Sequence, residues 1–309
     1  MNSSVLKANL FALLLVLLQI IAPIFLRPLI NILGYGNVLI SDEYIFLLIP
    51  CILFIIINGN SLKKTLSLKK LKFIDIIIVI VIAILCQPIA GFLSELSSIF
   101  FKNPVANALE KLSGLSLGFM LFFMAVTPAI CEESVTRGVI LYGYRRKNIF
   151  TAAIVNGLIF GILHLSPQQF LYAFVLGTIF VYLVRITRSI FASMLCHFTF
   201  NSIQVVASRA YMSGISSQSK AVLQGGYNKG ILLLYKFSIA AIFFMAVVML
   251  IKYLHKLHKN DNYLNTAVEK YSEREYSSAE SKKGIVVVEY SPLVILVIIY
   301  ILLMLNRYL

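Results

Sequence analysis

The 309 residues are 60% hydrophobic and 13% charged, with a mean hydropathy of +0.89, no Trp and a formal net charge of +14. A soluble domain carries roughly 25% charged residues, and here the apolar residues come in long blocks rather than as one stripe per helix, which excludes an ordinary soluble globule. The basic residues fall between those blocks, where a polytopic membrane protein keeps its positive-inside charge, so no nucleic-acid partner is expected and the bilayer is.

Nine apolar segments predict membrane helices, at roughly 5–26, 44–58, 73–92, 114–141, 149–165, 170–184, 190–207, 231–251 and 292–305. The first has Lys7 near its start and no small-residue cleavage site. It is too long for a signal-peptide core and reads as a retained span. A crossing needs about 20 residues, so segments 44–58 and 170–184 look short. Inside lipid each segment must satisfy its own backbone, which makes the fold class all-α: a polytopic transmembrane helix bundle of eight or nine spans. Pro88 and Pro128 fall within spans and predict kinks.

The connections carry the charge. In "SLKKTLSLKKLK" (61–72), Leu62, Leu66 and Leu68 stand against five lysines. An interfacial helix and a plain basic stop before the next span are both open for it. Residues 252–289 mix seven basic with six acidic residues and predict a flexible or weakly helical loop with no chemistry of its own. An amino terminus inside the cell places 18 basic residues on the cytoplasmic face and seven outside, with Arg137 and Lys236 left within spans. That asymmetry predicts a multi-pass protein of the plasma membrane with a cytoplasmic amino terminus and an outer carboxy terminus. Arg185 and Arg188 are expected as interfacial anchors, and Asp75 and Lys236 as groups that snorkel from span ends. Cys51, Cys86, Cys131 and Cys196 all lie in apolar segments without a C-x-x-C pair, and are read as small buried hydrophobes.

Ionisable residues within spans cost at least ~2.5–3.5 kcal/mol each and are functional candidates by default. Glu132, Glu133 and Arg137 stand in "CEESVTR", His164 in "FGILHL", and His197 with Asn201 in "CHFTFN". Helical spacing puts Glu133 with Arg137, and His197 with Asn201, on common faces. Glu132 points about 100° away from Glu133. One carboxylate is thereby neutralised while the other is left for the bundle interior. Counting about 1.5 Å per residue from the inner surface, Glu132 lies roughly 20 Å in, His164 roughly 25 Å, and His197 and Asn201 roughly 12 and 18 Å. All fall at mid-bilayer depth, as a single site requires.

A carboxylate, two imidazoles and an amide suit amide hydrolysis. The carboxylate can take a proton from water, one imidazole can orient the water or carry the proton to the leaving amine, and the other with the Asn can bind the oxyanion. Glu132, His164 and His197 could instead hold zinc with one open position. The residues leave both chemistries open.

"EESVTR", "FGILH" and "HFTFN" resemble the E-E-x-x-x-R, F-x-x-x-H and H-x-x-x-N/D motifs of the CPBP family, which comprises CAAX prenyl endopeptidases and the abortive-infection and bacteriocin-processing proteases. The resemblance covers about residues 114–207. It implies an intramembrane endopeptidase acting on a membrane-associated peptide or protein. Glu132 and His164 would activate water, His197 and Asn201 would bind the oxyanion, and Arg137 with Glu133 would brace the site beside Phe160. The expected organisation is amino-terminal spans over 1–112, a catalytic core over 113–207 and carboxy-terminal spans over 208–309. Two other classes stay open: a transporter or proton relay built on the same buried groups, and a catalytically silent immunity or scaffold protein. "GLSLG" (114–118) fits G-x-S-x-G, but that motif needs a strand before it, whereas "NALEKLS" precedes it here. Ser116 is therefore not expected to be a nucleophile.

Overall fold

A computed structural model describes residues 4–212, 229–259 and 283–308, and every regular element among them is a helix. Among the described residues eight helices are long and apolar enough to cross a membrane: α1 (Ser4–Leu33), α2 (Tyr35–Ile57), α3 (Phe73–Ser98), α5 (Leu117–Gly143), α7 (Pro167–Thr187), α8 (Ile190–Tyr211), α9 (Gly230–His258) and α10 (Val287–Arg307). Two shorter ones complete the set, α4 (Pro104–Lys111) and the apolar α6 (Ile149–Leu163). The chain is a multi-pass membrane protein.

The two segments that look short in the sequence are full spans of 23 and 21 residues, and the short helix is α6. The discrepancy has one physical cause. Hydropathy stops at polar residues, and Asp42, Glu43, Gln168 and Gln169 extend α2 and α7 because they face an internal cavity rather than lipid.

Two hydrophobic clusters organise the bundle. One joins α1, the second half of α2, the second half of α5, α6 and α10, and the other joins α3, α8 and α9. Residues of α7 enter both. Its Gly177 meets Gly157 of α6 so closely that a Cβ on Gly177 would lie 2.9 Å from the Gly157 Cα. Small residues allow this backbone approach between helices.

Polar contacts tie the ends together. Ser4 Oγ donates to the Gly143 carbonyl at 2.9 Å, and Lys7 Nζ to Asn58 Oδ1 at 2.9 Å. Arg185 donates to the carbonyls of Tyr144 (2.7 Å) and Arg145 (3.2 Å), so it caps the end of α5 rather than serving as a free anchor. Asp75 does not snorkel: it is buried, caps the start of α3, and lies 2.9 Å from Nε2 of His258 at the end of α9. Lys236 pairs with Glu95. These contacts gather the amino terminus, the end of α9 and segments 61–72, 145–147 and 185–188 at one end of the bundle. At the other end Arg307 donates to the Leu165 carbonyl at 3.2 Å.

Segment 61–72 forms a single helical turn, Leu62–Thr65, and then reverses through Ser67 at φ +49°. Thr65 is buried, Leu66 packs on the core, and the Ser67 carbonyl accepts from the Ile190 amide at 3.2 Å. The segment is docked against the bundle, and no extended interfacial helix forms. Of the charged stretch 252–289, the first residues continue α9 as helix and the last lead into α10. The rest of the predicted loop lies outside the described residues.

Candidate active site

The site is built on irregularities in α5. Two stretches of this span, Phe122–Val126 and Ser134–Ile140, are wound as π-helix. Such turns leave carbonyls without their i+4 donor and recur at functional sites. Pro128 adds to this, since it has no N–H to return to the Met124 carbonyl four residues earlier. Asn201 of α8 supplies the missing donor, its Nδ2 lying 2.9 Å from that oxygen. On the second π stretch Asn156 Nδ2 donates to the Thr136 carbonyl at 2.6 Å, and Cys51 Sγ to the Ser134 carbonyl at 3.4 Å. Side chains of three other helices thus register α5, and with it the two glutamates.

Glu133 and Arg137 pair as their spacing predicts, Nη1 to Oε1 at 2.9 Å with both side chains fully buried. Arg137 also donates to Thr136 Oγ1 at 2.6 Å and lies over the rings of Phe160 (4.2 Å) and Phe180 (5.0 Å). Cation–π contact spreads its charge over apolar neighbours where no water reaches. The same Glu133 oxygen accepts from His197 Nδ1 at 3.0 Å. His197 Nε2 faces the other glutamate, 3.9 Å from Glu132 Oε2. One imidazole therefore bridges the two carboxylates, and the buried one fixes its ring for the one that lines the cavity. Glu132 Oε2 is buried without a hydrogen-bond partner among the described residues.

His164 follows the last residue of α6. Its Nδ1–H donates to the Phe160 carbonyl at 2.8 Å, so Nε2 is the ring nitrogen left for other partners. Phe160 stands edge-on between the imidazoles, 4.9 Å from His164 and 5.9 Å from His197, and beneath it is Arg137. The Phe of F-x-x-x-H is thus a spacer that holds both histidines off the guanidinium.

A cavity of about 640 Å³ collects Glu132, Phe160, His164, His197 and Asn201 on its wall, while Glu133 and Arg137 lie behind it. The same wall carries Asp42, Glu43 and Gln168, which the sequence reading did not single out. Their one signal was position: polar residues just beyond the ends of segments 44–58 and 170–184. Among the described residues no three His, Cys, Asp or Glu side chains converge to hold a metal ion. Glu132, His164 and His197, the three residues that zinc would need, do not form such a group. Ser116 is not on the wall and serves as the amino-terminal cap of α5, accepting from the Phe119 amide at 3.4 Å. All four cysteines are free and buried.

Residues 114–203 match the model for type II CAAX prenyl endopeptidase Rce1-like proteins. The chain is also similar to a Bacillus subtilis (strain 168) protein named "Putative membrane peptidase YdiL", at 26% identity over 111 residues. That match covers 34% of this chain and 46% of the relative, so the chain spans about half of the length of the curated relative it matches. No solved structure gives a significant match.

Proposed function

We propose, for a chain whose residues 114–203 belong to the CPBP family of membrane proteases, that residues 113–207 form the catalytic core of an intramembrane endopeptidase in which a glutamate activates water. The observation that carries this reading is the His197 bridge between Glu133 and Glu132 on the wall of a cavity large enough for a peptide segment.

In the proposed reaction Glu132 takes a proton from water as the water oxygen bonds to the carbonyl carbon. His164, with Nδ1–H committed to Phe160, offers Nε2 to orient that water. The oxyanion that forms is met by His197 from its Nε2 side and by the second amide N–H of Asn201, whose first is held by the Met124 carbonyl. When the C–N bond breaks, the proton carried by Glu132 passes to the leaving nitrogen, and the carboxylate is restored. Glu133 does not touch substrate. It positions His197 and balances Arg137. No step is routed through zinc, and among the described residues no three His, Cys, Asp or Glu side chains are grouped to hold a metal ion.

The test uses purified protein in detergent with internally quenched peptides. Glu132→Gln is expected to abolish cleavage while leaving thermal stability near that of the parent. Retained cleavage would remove Glu132 from the role. Metal analysis before and after exhaustive chelation runs alongside, and stoichiometric zinc whose removal and return switch activity off and on would replace the glutamate mechanism with a metal one.

A further inference from the structure

The cavity has a direction. Its floor is buried Phe160, Phe180 and His197, and its rim is exposed Ser98, Asn103 and Pro104. Each span that lines it does so with the part remote from the basic segments 61–72, 145–147 and 185–188. The first turns of α2 and α7, the last turns of α3, the first half of α5, the end of α6 and the later turns of α8 all take part. Basic connections mark the cytoplasmic face of a polytopic protein. The mouth therefore opens on the opposite face.

The wall chemistry is one-sided as well. Asp42, Glu43 and Glu132 line the cavity, together with a Glu95 neutralised by Lys236. No Lys or Arg is on the wall among the described residues, in a chain where Lys and Arg outnumber Asp and Glu by 27 to 13. Asp42 Oδ1 and Glu43 Oε2 are buried acceptors without a hydrogen-bond partner among those residues. A neutral group repeats the pattern. Gln168 is 0% exposed and its Nε2 donates to Ser94 Oγ at 2.7 Å, yet its Oε1 has no donor among the described residues. Unpaired acceptors away from bulk water are costly until a donor arrives. Cationic N–H groups are the donors that suit such acceptors best.

We propose that the site takes a peptide presented on the non-cytoplasmic side of the membrane, and that Asp42, Glu43 and Gln168 hold a Lys or Arg side chain of that peptide next to the bond to be cut. The cleavage rests on the hydrolytic reading above, whereas the side of entry and the charge preference do not. A tail arriving from the cytoplasm would meet the closed end, where Arg185 caps α5 and segment 61–72 is docked against α8.

The experiment is photo-crosslinking of two membrane-impermeant peptides, identical except for Lys against Glu at one position. The target is the Glu132→Gln protein in right-side-out and inverted vesicles of the expressing cell's membrane. The Lys peptide is expected to label right-side-out vesicles only, and the Glu peptide about tenfold more weakly, the ratio that one charged hydrogen bond supports. Asp42→Asn with Glu43→Gln should remove that preference. If this double variant fails to accumulate, the peptide pair on the parent still decides the matter. Labelling confined to inverted vesicles, or equal labelling by the two peptides, overturns the proposal. Selective labelling without cleavage by the unaltered protein would defeat the hydrolase reading and leave this assignment standing.

Discussion

The two ends of the bundle are built on opposite plans. At the basic end, charged and polar side chains are committed to backbone: Arg185 to the carbonyls of Tyr144 and Arg145, Ser4 to that of Gly143, and Ser189 to that of Lys69. At the other end, acceptors of Asp42, Glu43, Glu132 and Gln168 have no hydrogen-bond partner among the described residues around an open cavity. Satisfied polar groups close helix ends and fix their register, while unsatisfied ones keep a free energy cost that a ligand can relieve. The contrast separates stability from activity along the axis of a single helix, because α5 runs from the cavity to the Arg185 cap.

Substitutions along that axis should break the contrast or make it sharper. After Glu132→Gln itself, the largest effect is expected at His197, which faces both glutamates: His197→Ala should lose nearly all cleavage, measured as kcat in detergent. Next comes the pair behind the wall. Glu133→Gln leaves a buried guanidinium uncompensated, which costs about 3–5 kcal/mol in comparable pairs, and it also releases the His197 ring. Both stability in a thermal unfolding assay and kcat should therefore fall. A Glu133→Gln protein that keeps full stability would show that the cation–π contacts with Phe160 and Phe180 suffice for Arg137.

Asn201→Ala should be intermediate, slower by about 10²–10³ if the amide donates to the oxyanion, with residual activity still measurable. A smaller loss accompanied by reduced stability would assign Asn201 to the Met124 carbonyl alone. The smallest effect on chemistry is expected at the closed end. Arg185→Ala should lower stability by about 1.5–3 kcal/mol, the range for charge-assisted hydrogen bonds, with kcat unchanged. A fall in kcat there would mean that the closed end and the cavity are coupled through α5.

Much of this was written in one dimension. Apolar runs longer than a bilayer is thick force helices, since no other backbone can satisfy itself in lipid. The i, i+4 spacing fixed Glu133 to Arg137 before any fold was known, and depth counting brought Glu132, His164, His197 and Asn201 to one level. Packing settled what spacing left open. Whether Asp42, Glu43 and Gln168 meet lipid headgroups or a cavity depends on how α2 and α7 rotate against α5, and a polar residue near a span end reads the same in either case. The roles inside the site were open for a similar reason. The Met124 carbonyl lost its donor to Pro128, a fact of sequence, but only the antiparallel approach of α8 chose Asn201 to replace it. His197 could have faced one glutamate or the other. Its 3.0 Å contact with Glu133 turns Nε2 toward Glu132, and that rotation of one ring is set by the aromatic walls of Phe160 and Phe180, which come from α6 and α7.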